Sequence, residues 1–121
     1  MNAEQLRQYC LNKPAVTESF PFDEDTLVFK VAGKIFALVN LKGDLRVNLK
    51  CDPEKAVTLR EHYPEVQPGY HMNKRHWNTV LLESLLDDDL VKTWIDDAYG
   101  LVVAGLPKNI RQKIENEPFD I

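Results

Sequence analysis

A chain of 121 residues with 44% apolar and 28% charged side chains has the size and balance of one self-supporting domain, residues 1–121, and not of a disordered segment. Its net charge of −4 argues against a protein that coats nucleic acid by bulk electrostatics. No apolar window is long enough to cross a bilayer and the first residues lack a secretory pattern, so the expected address is the cytoplasm, with no membrane partner.

Charge is unevenly spread. Residues 1–26 carry two positive and five negative side chains, residues 27–82 nine and five, and residues 83–121 four and nine. A basic middle between acidic ends can create a local positive surface. Cys10 and Cys51 are the only cysteines and are read as reduced, packed thiols in a monomer.

The first helix is predicted over about 3–12. Asn2 and Gln5 form a capping box, Leu6, Tyr9 and Cys10 recur at helical spacing, and Pro14 blocks continuation. TESFPFDEDT, 17–26, is rich in turn formers and acids and is read as a loop. The period then changes to two: TLVFKVA, KIFALVN and LRVNLK form a three-stranded antiparallel meander, separated at Gly33 and at Lys42-Gly43-Asp44. Alternation puts Leu27, Phe29, Val31, Leu45, Val47 and Leu49 on one face. Lys30, Arg46, Asn48 and Lys50 fall on the other, and the middle strand is apolar on both.

Asp52-Pro53-Glu54 starts a second helix, with Ala56, Leu59, Arg60 and Tyr63 on one face and Pro64 at its end. Gln67-Pro68-Gly69 is a turn, and 75–82 is a fourth strand. Ser84 and Asp87 are read as a second capping box for a long helix over about 87–104. Its buried stripe would be Leu90, Val91, Trp94, Ile95, Ala98, Leu101 and Val102. Gly105 ends that helix, and Pro107 opens a last one bearing Ile110 and Ile114. The order α-βββ-α-β-α-α implies an α+β fold, a mostly antiparallel sheet with helices chiefly on one face.

Phosphate-binding glycine loops, HExxH, CxxC and calcium-loop patterns are all absent. Cys51 has His71 and His76 as conceivable bases, but nothing in the sequence ties them together, and it is read as a packed thiol. His62, His71 and His76 do not share a metal-ligand spacing. Asp87, Asp88 and Asp89 are explained by the dipole of the helix they begin. Glu18, Asp23, Glu24 and Asp25 form no defined acid–base pair. No enzyme, metal or cofactor is expected.

The most unusual stretch is PGYHMNKRHWNTV, 68–80, with two aromatics, two histidines, two fixed cations and two asparagines in thirteen residues. Lysine and arginine suit phosphates, aromatic faces stack on bases, and amides read base edges. The same mixture suits a protein partner or a polar ligand.

Four blocks carry a family resemblance: ESFPFDEDTLVFKVAGKIFAL (18–38), VNLKCDPE (47–54), PGYHMNKRHWNTV (68–80) and SLLDDDL (84–90). Together they make the chain similar to the MmcQ/YjbR family of small bacterial proteins, the third block being the most specific. The resemblance implies a frataxin-like two-layer sandwich and DNA binding. A frataxin likeness would also imply iron held by an acidic first helix, but that helix has Glu4 as its one acid, so iron is not expected. The DNA-contacting residues expected here are Lys30, Arg46 and Lys50 on the sheet, with Lys74, Arg75, His76, Trp77 and Asn78 beside them on one contiguous exposed surface. The alternative is a protein- or small-ligand-binding adaptor using the same patch.

Overall fold

The computed structural model describes residues 1–116. Capping chemistry starts three of the four helices among the described residues. In α1, Ala3–Leu11, the Asn2 side chain accepts from the Gln5 N–H while the Gln5 side chain accepts from the Asn2 N–H, so two orphan donors are satisfied at once. Asp52 caps α2, Pro53–His62, through the Lys55 N–H. Asp87 caps α3, Asp88–Ala104, through the Asp89 N–H. Ser84 does not take part as expected. Its hydroxyl donates to the Leu81 carbonyl and accepts from the Leu86 N–H, which makes a turn ahead of the helix. The last helix, α4, spans Lys108–Glu115 behind Pro107.

Among the described residues, six strands form one antiparallel sheet in the order β1-β2-β3-β4-β6-β5. The meander is β2 (Thr26–Val31), β3 (Lys34–Asn40) and β4 (Arg46–Lys50), and the fourth expected strand is β6, Trp77–Leu81. Two strands were not foreseen. The first three residues of the expected loop, 17–19, join Val16 to form β1, Val16–Ser19, and part of the expected turn forms β5, Val66–Pro68. Both are short sheet edges with few buried side chains, so neither shows a hydrophobic alternation. In β1 the inward position after Val16 is Glu18, held by a two-pronged pair with Arg7 of α1 at 2.8 Å for each bond. In β5, Pro68 is tolerated because an edge strand has N–H groups that need no ladder partner.

The helices pack on one face of the sheet. Leu6 and Cys10 of α1, Leu59 of α2, Val91, Trp94, Ile95 and Ala98 of α3 and Ile114 of α4 share one core with Leu27, Phe29, Val31, Val47, Leu49 and Val80. Pairing shifts between Phe29 and Lys30: Phe29 faces Ala37 and Lys30 faces Ile35, which leaves Phe36 as a bulge. Phe36 and Ala37 consequently both reach the helix-side core. On α3 the C-terminal stripe differs from expectation, because Leu101 is exposed and Val103 is buried in its place.

Among the described residues, the opposite face carries no helix. Register places Val28, Leu38 and Trp77 there, where they form a second, small core with Ile35 and Met72. The segment 69–76 supplies Met72 and lies close over the sheet. Gly69 permits this, since a Cβ at that position would come within 2.7 Å of the Trp77 Cβ.

Candidate functional site

Strand alternation decides what the helix-free face presents. Across the sheet, Thr26, Asn40 and Arg46 lie in one row, and Leu38, Asn48 and Thr79 in the next. Two loops rise over these rows: the one bearing Phe22 and Asp23, and the one bearing Tyr70, His71 and Met72. Between them is a cavity of about 490 Å³ with Arg46, Asn40, Asn48 and Thr79 among its floor residues.

Its walls are held by specific bonds. The Tyr70 N–H donates to the Thr79 hydroxyl at 2.9 Å, and that hydroxyl donates to the Asn48 side-chain oxygen at 2.5 Å. The Asn48 amide donates back to the Tyr70 carbonyl. The far wall is an Asp-centred turn: Asp23 accepts from the Asp25 and Thr26 N–H groups and from the Thr26 hydroxyl. Those bonds hold the Asp23 carboxyl below its ordinary range. Asn40 is tied to the backbone of Lys42.

Arg46 differs from all of these. Its Nε is fully buried and has no hydrogen-bond partner among the described residues. At the rim, Phe22 and Tyr70 are 66% and 61% exposed, unusual for such side chains. The Tyr70 and His71 rings sit 4.0 Å apart, centroid to centroid. His71 is left-handed, with φ of 60°, a strained backbone for a non-glycine residue that the loop bonds on either side maintain.

The residues expected to form one patch divide between surfaces. Lys30, Arg46, Lys50 and Trp77 share the helix-free face by register. Trp77 is buried in the small core, with the Lys50 ammonium 5.3 Å from its ring centroid, so the indole is a floor and not a free stacking surface. Lys74 and Arg75 line a different hollow with Pro53, Glu54, Val57 and Arg60 of α2. His76 is half-buried, and its backbone bonds Cys51 and Asn73.

Asn78 points to the helix side of the sheet. It accepts from Arg60 Nε at 2.7 Å and donates to the Ala56 carbonyl. Its amide is committed to the fold and does not face the surface that was expected to meet bases. Phe22, Asn40, Asn48, Tyr70, His71 and Thr79 were not expected as site residues. Segment 68–80 stood out by composition and Asn48 by its face, but only tertiary proximity joins them to 22–26.

Both cysteines are free and buried. Burial pushes the Cys10 thiol up to about 12 and raises that of Cys51. Among the described residues no group of three or more His, Cys, Asp or Glu is arranged to hold a metal ion, and no helix is long and apolar enough to cross a membrane.

Sheet order, one-sided helices and a loop-walled cleft on the open face define an α+β two-layer sandwich domain. The YjbR family model matches residues 11–101, and the chain belongs to that family. It is 38% identical over 112 residues to YbdF of Escherichia coli O157:H7, covering 92% of each chain. To YjbR of Escherichia coli K12 it is 35% identical over 113 residues, covering 93% of this chain and 96% of that one. The crystal structure of protein DR2400 of Deinococcus radiodurans superposes with a TM-score of 0.87 at 38% identity, covering 99% of this chain and 91% of the other. A Pseudomonas syringae protein gives 0.75 at 31% identity, covering 84% and 98%.

Proposed function

We propose that this protein is a non-catalytic binding domain whose small ligand enters the cleft on the helix-free sheet face. The cleft itself carries the reading. Its volume of about 490 Å³ falls in the range of small-ligand sites, and its few polar groups converge on a floor bounded by aromatic side chains. Both thiols lie outside the residues that line it, and their raised pKa values leave them poor nucleophiles, which supports a binding role over covalent catalysis. The test is amide chemical-shift mapping of the ¹⁵N-labelled protein against the small-molecule fraction of a bacterial extract. Shifts concentrated at residues 22–26, 38–48 and 70–79 are expected. Shifts confined to the helix side would overturn the reading.

A second reading is binding of DNA, favoured by the shared face of Lys30, Arg46 and Lys50 and by the exposed rings of Phe22 and Tyr70 beside it. Cations on that face would meet phosphates while the rings stack on unpaired bases. Fluorescence anisotropy with single-stranded and duplex oligonucleotides at about 50 and 200 mM salt tests it. Saturable binding that weakens as salt is raised, and that Lys30→Glu with Lys50→Glu removes, is the expected result. Equal binding by that double variant would sink the reading.

A further inference from the structure

We infer, building on the proposed cleft-binding role, that the cleft takes a small organic oxyanion, a carboxylate or phosphate borne on a flat unsaturated body, and that Arg46 grips the anionic head. The inference begins with what each lining group has left to offer. Thr79 and Asn48 bond one another and Tyr70, and Asn40 bonds the Lys42 backbone. Asp23, the carboxylate that lines the same cleft, spends its oxygens on Asp25 and Thr26 and forms no ion pair with Arg46. Arg46 alone on the floor keeps a buried donor without a partner among the described residues.

The Arg46 Nε in that position is costly to the fold, because a buried donor left unmatched loses its hydration with no compensating bond. An oxyanion with two adjacent acceptor oxygens supplies what is missing, since it matches the fork of guanidinium donors and neutralises the charge. A neutral guest would leave the charge uncompensated, and a cation would be repelled.

The remainder of the cleft describes the rest of the guest. Leu38 and Met72 line its apolar part, and Phe22, Tyr70 and His71 offer ring faces. A flat body laid among them buries aromatic surface that is otherwise exposed to water.

The probes are benzoate, phenyl phosphate and the neutral isostere benzamide, each titrated into ¹⁵N-labelled protein. Wild type, Arg46→Met and Arg46→Lys are compared. Both oxyanions are expected to shift amides around residues 40–48 and 70–72, and to bind at least about tenfold more tightly than benzamide. Arg46→Met should lose that preference while melting at a higher temperature than wild type. Arg46→Lys should retain the fold and part of the preference. The tighter of the two oxyanions names the head group. Benzamide binding as well as benzoate, with Arg46→Met indifferent to both, overturns the oxyanion assignment and leaves the cleft reading standing. No cleft shift with any probe overturns both.

Discussion

Cys10 shows how burial converts a reactive residue into packing. It is fully enclosed on the helix side, and its thiol is pushed up to about 12. Between the ordinary thiol value near 9 and that raised value, the unfolded chain releases a proton that the folded chain retains. Folding stability therefore falls with rising pH across that window, by up to about 1.4 kcal/mol per pH unit for this one group. Urea titrations at about pH 8 and pH 10 should reveal the loss, and Cys10→Ala should remove this component of the slope. Asn78 is the polar counterpart. Replacing it by alanine strips the Arg60 Nε of its acceptor and the Ala56 carbonyl of its donor. A cost of about 2–3 kcal/mol is expected, read from the denaturation midpoint. Probe affinity in the cleft should not change, because Asn78 lies on the other side of the sheet.

At the scale of elements, the site depends on how segment 69–76 is pressed onto the sheet. Gly69 donates its N–H to the Trp77 carbonyl at 3.0 Å, and a Cβ there would also lie 2.9 Å from that oxygen. Gly69→Ala must push the segment outward, which should cost about 1–3 kcal/mol. The Tyr70, His71 and Met72 amides should shift in the ¹⁵N spectrum while those of α3 hold still. The helices and the meander were legible in the sequence because capping residues and period-two alternation are local signals. Asn2, Asp52 and Asp87 all cap, and Leu27, Phe29, Val47 and Leu49 all face the helices. β1 and β5 were not legible, since an edge strand buries too little to impose a pattern and is recruited by its neighbour. Ser84 was misread for a related reason: a serine ahead of an acidic helix start fits a cap and a turn equally well, and local bonds to Leu81 and Leu86 decided between them.

For the whole molecule, the question is how far a net charge of −4 suits nucleic acid. Lys30 and Lys50 stand at one end of the open face, while Arg46 is four residues from Lys50 along β4, roughly 13 Å away. Lys74 and Arg75 line the α2 hollow. So sparse a set neutralises few phosphates, and any duplex binding should show a shallow salt slope, equivalent to about two or three contacts. A steep slope of six or more would require cations from both surfaces acting together, and charge reversal at Lys74 and Arg75 would expose their part.

The sequence by itself determined the fold class, the faces on which the residues of β2 and β4 lie and the approximate helix starts, because periodicity and capping act over a few residues and need no distant partner. Only the tertiary structure decided the site. The two loops that wall the cleft are separated by more than forty residues of chain, and no local pattern reports that they meet. Nor could sequence show that Trp77 is a floor, that Asn78 is spent on Arg60, or that Arg46 keeps a buried donor free. Whether a polar group is satisfied depends on what folding brings within hydrogen-bond distance, and that is a property of the folded chain alone.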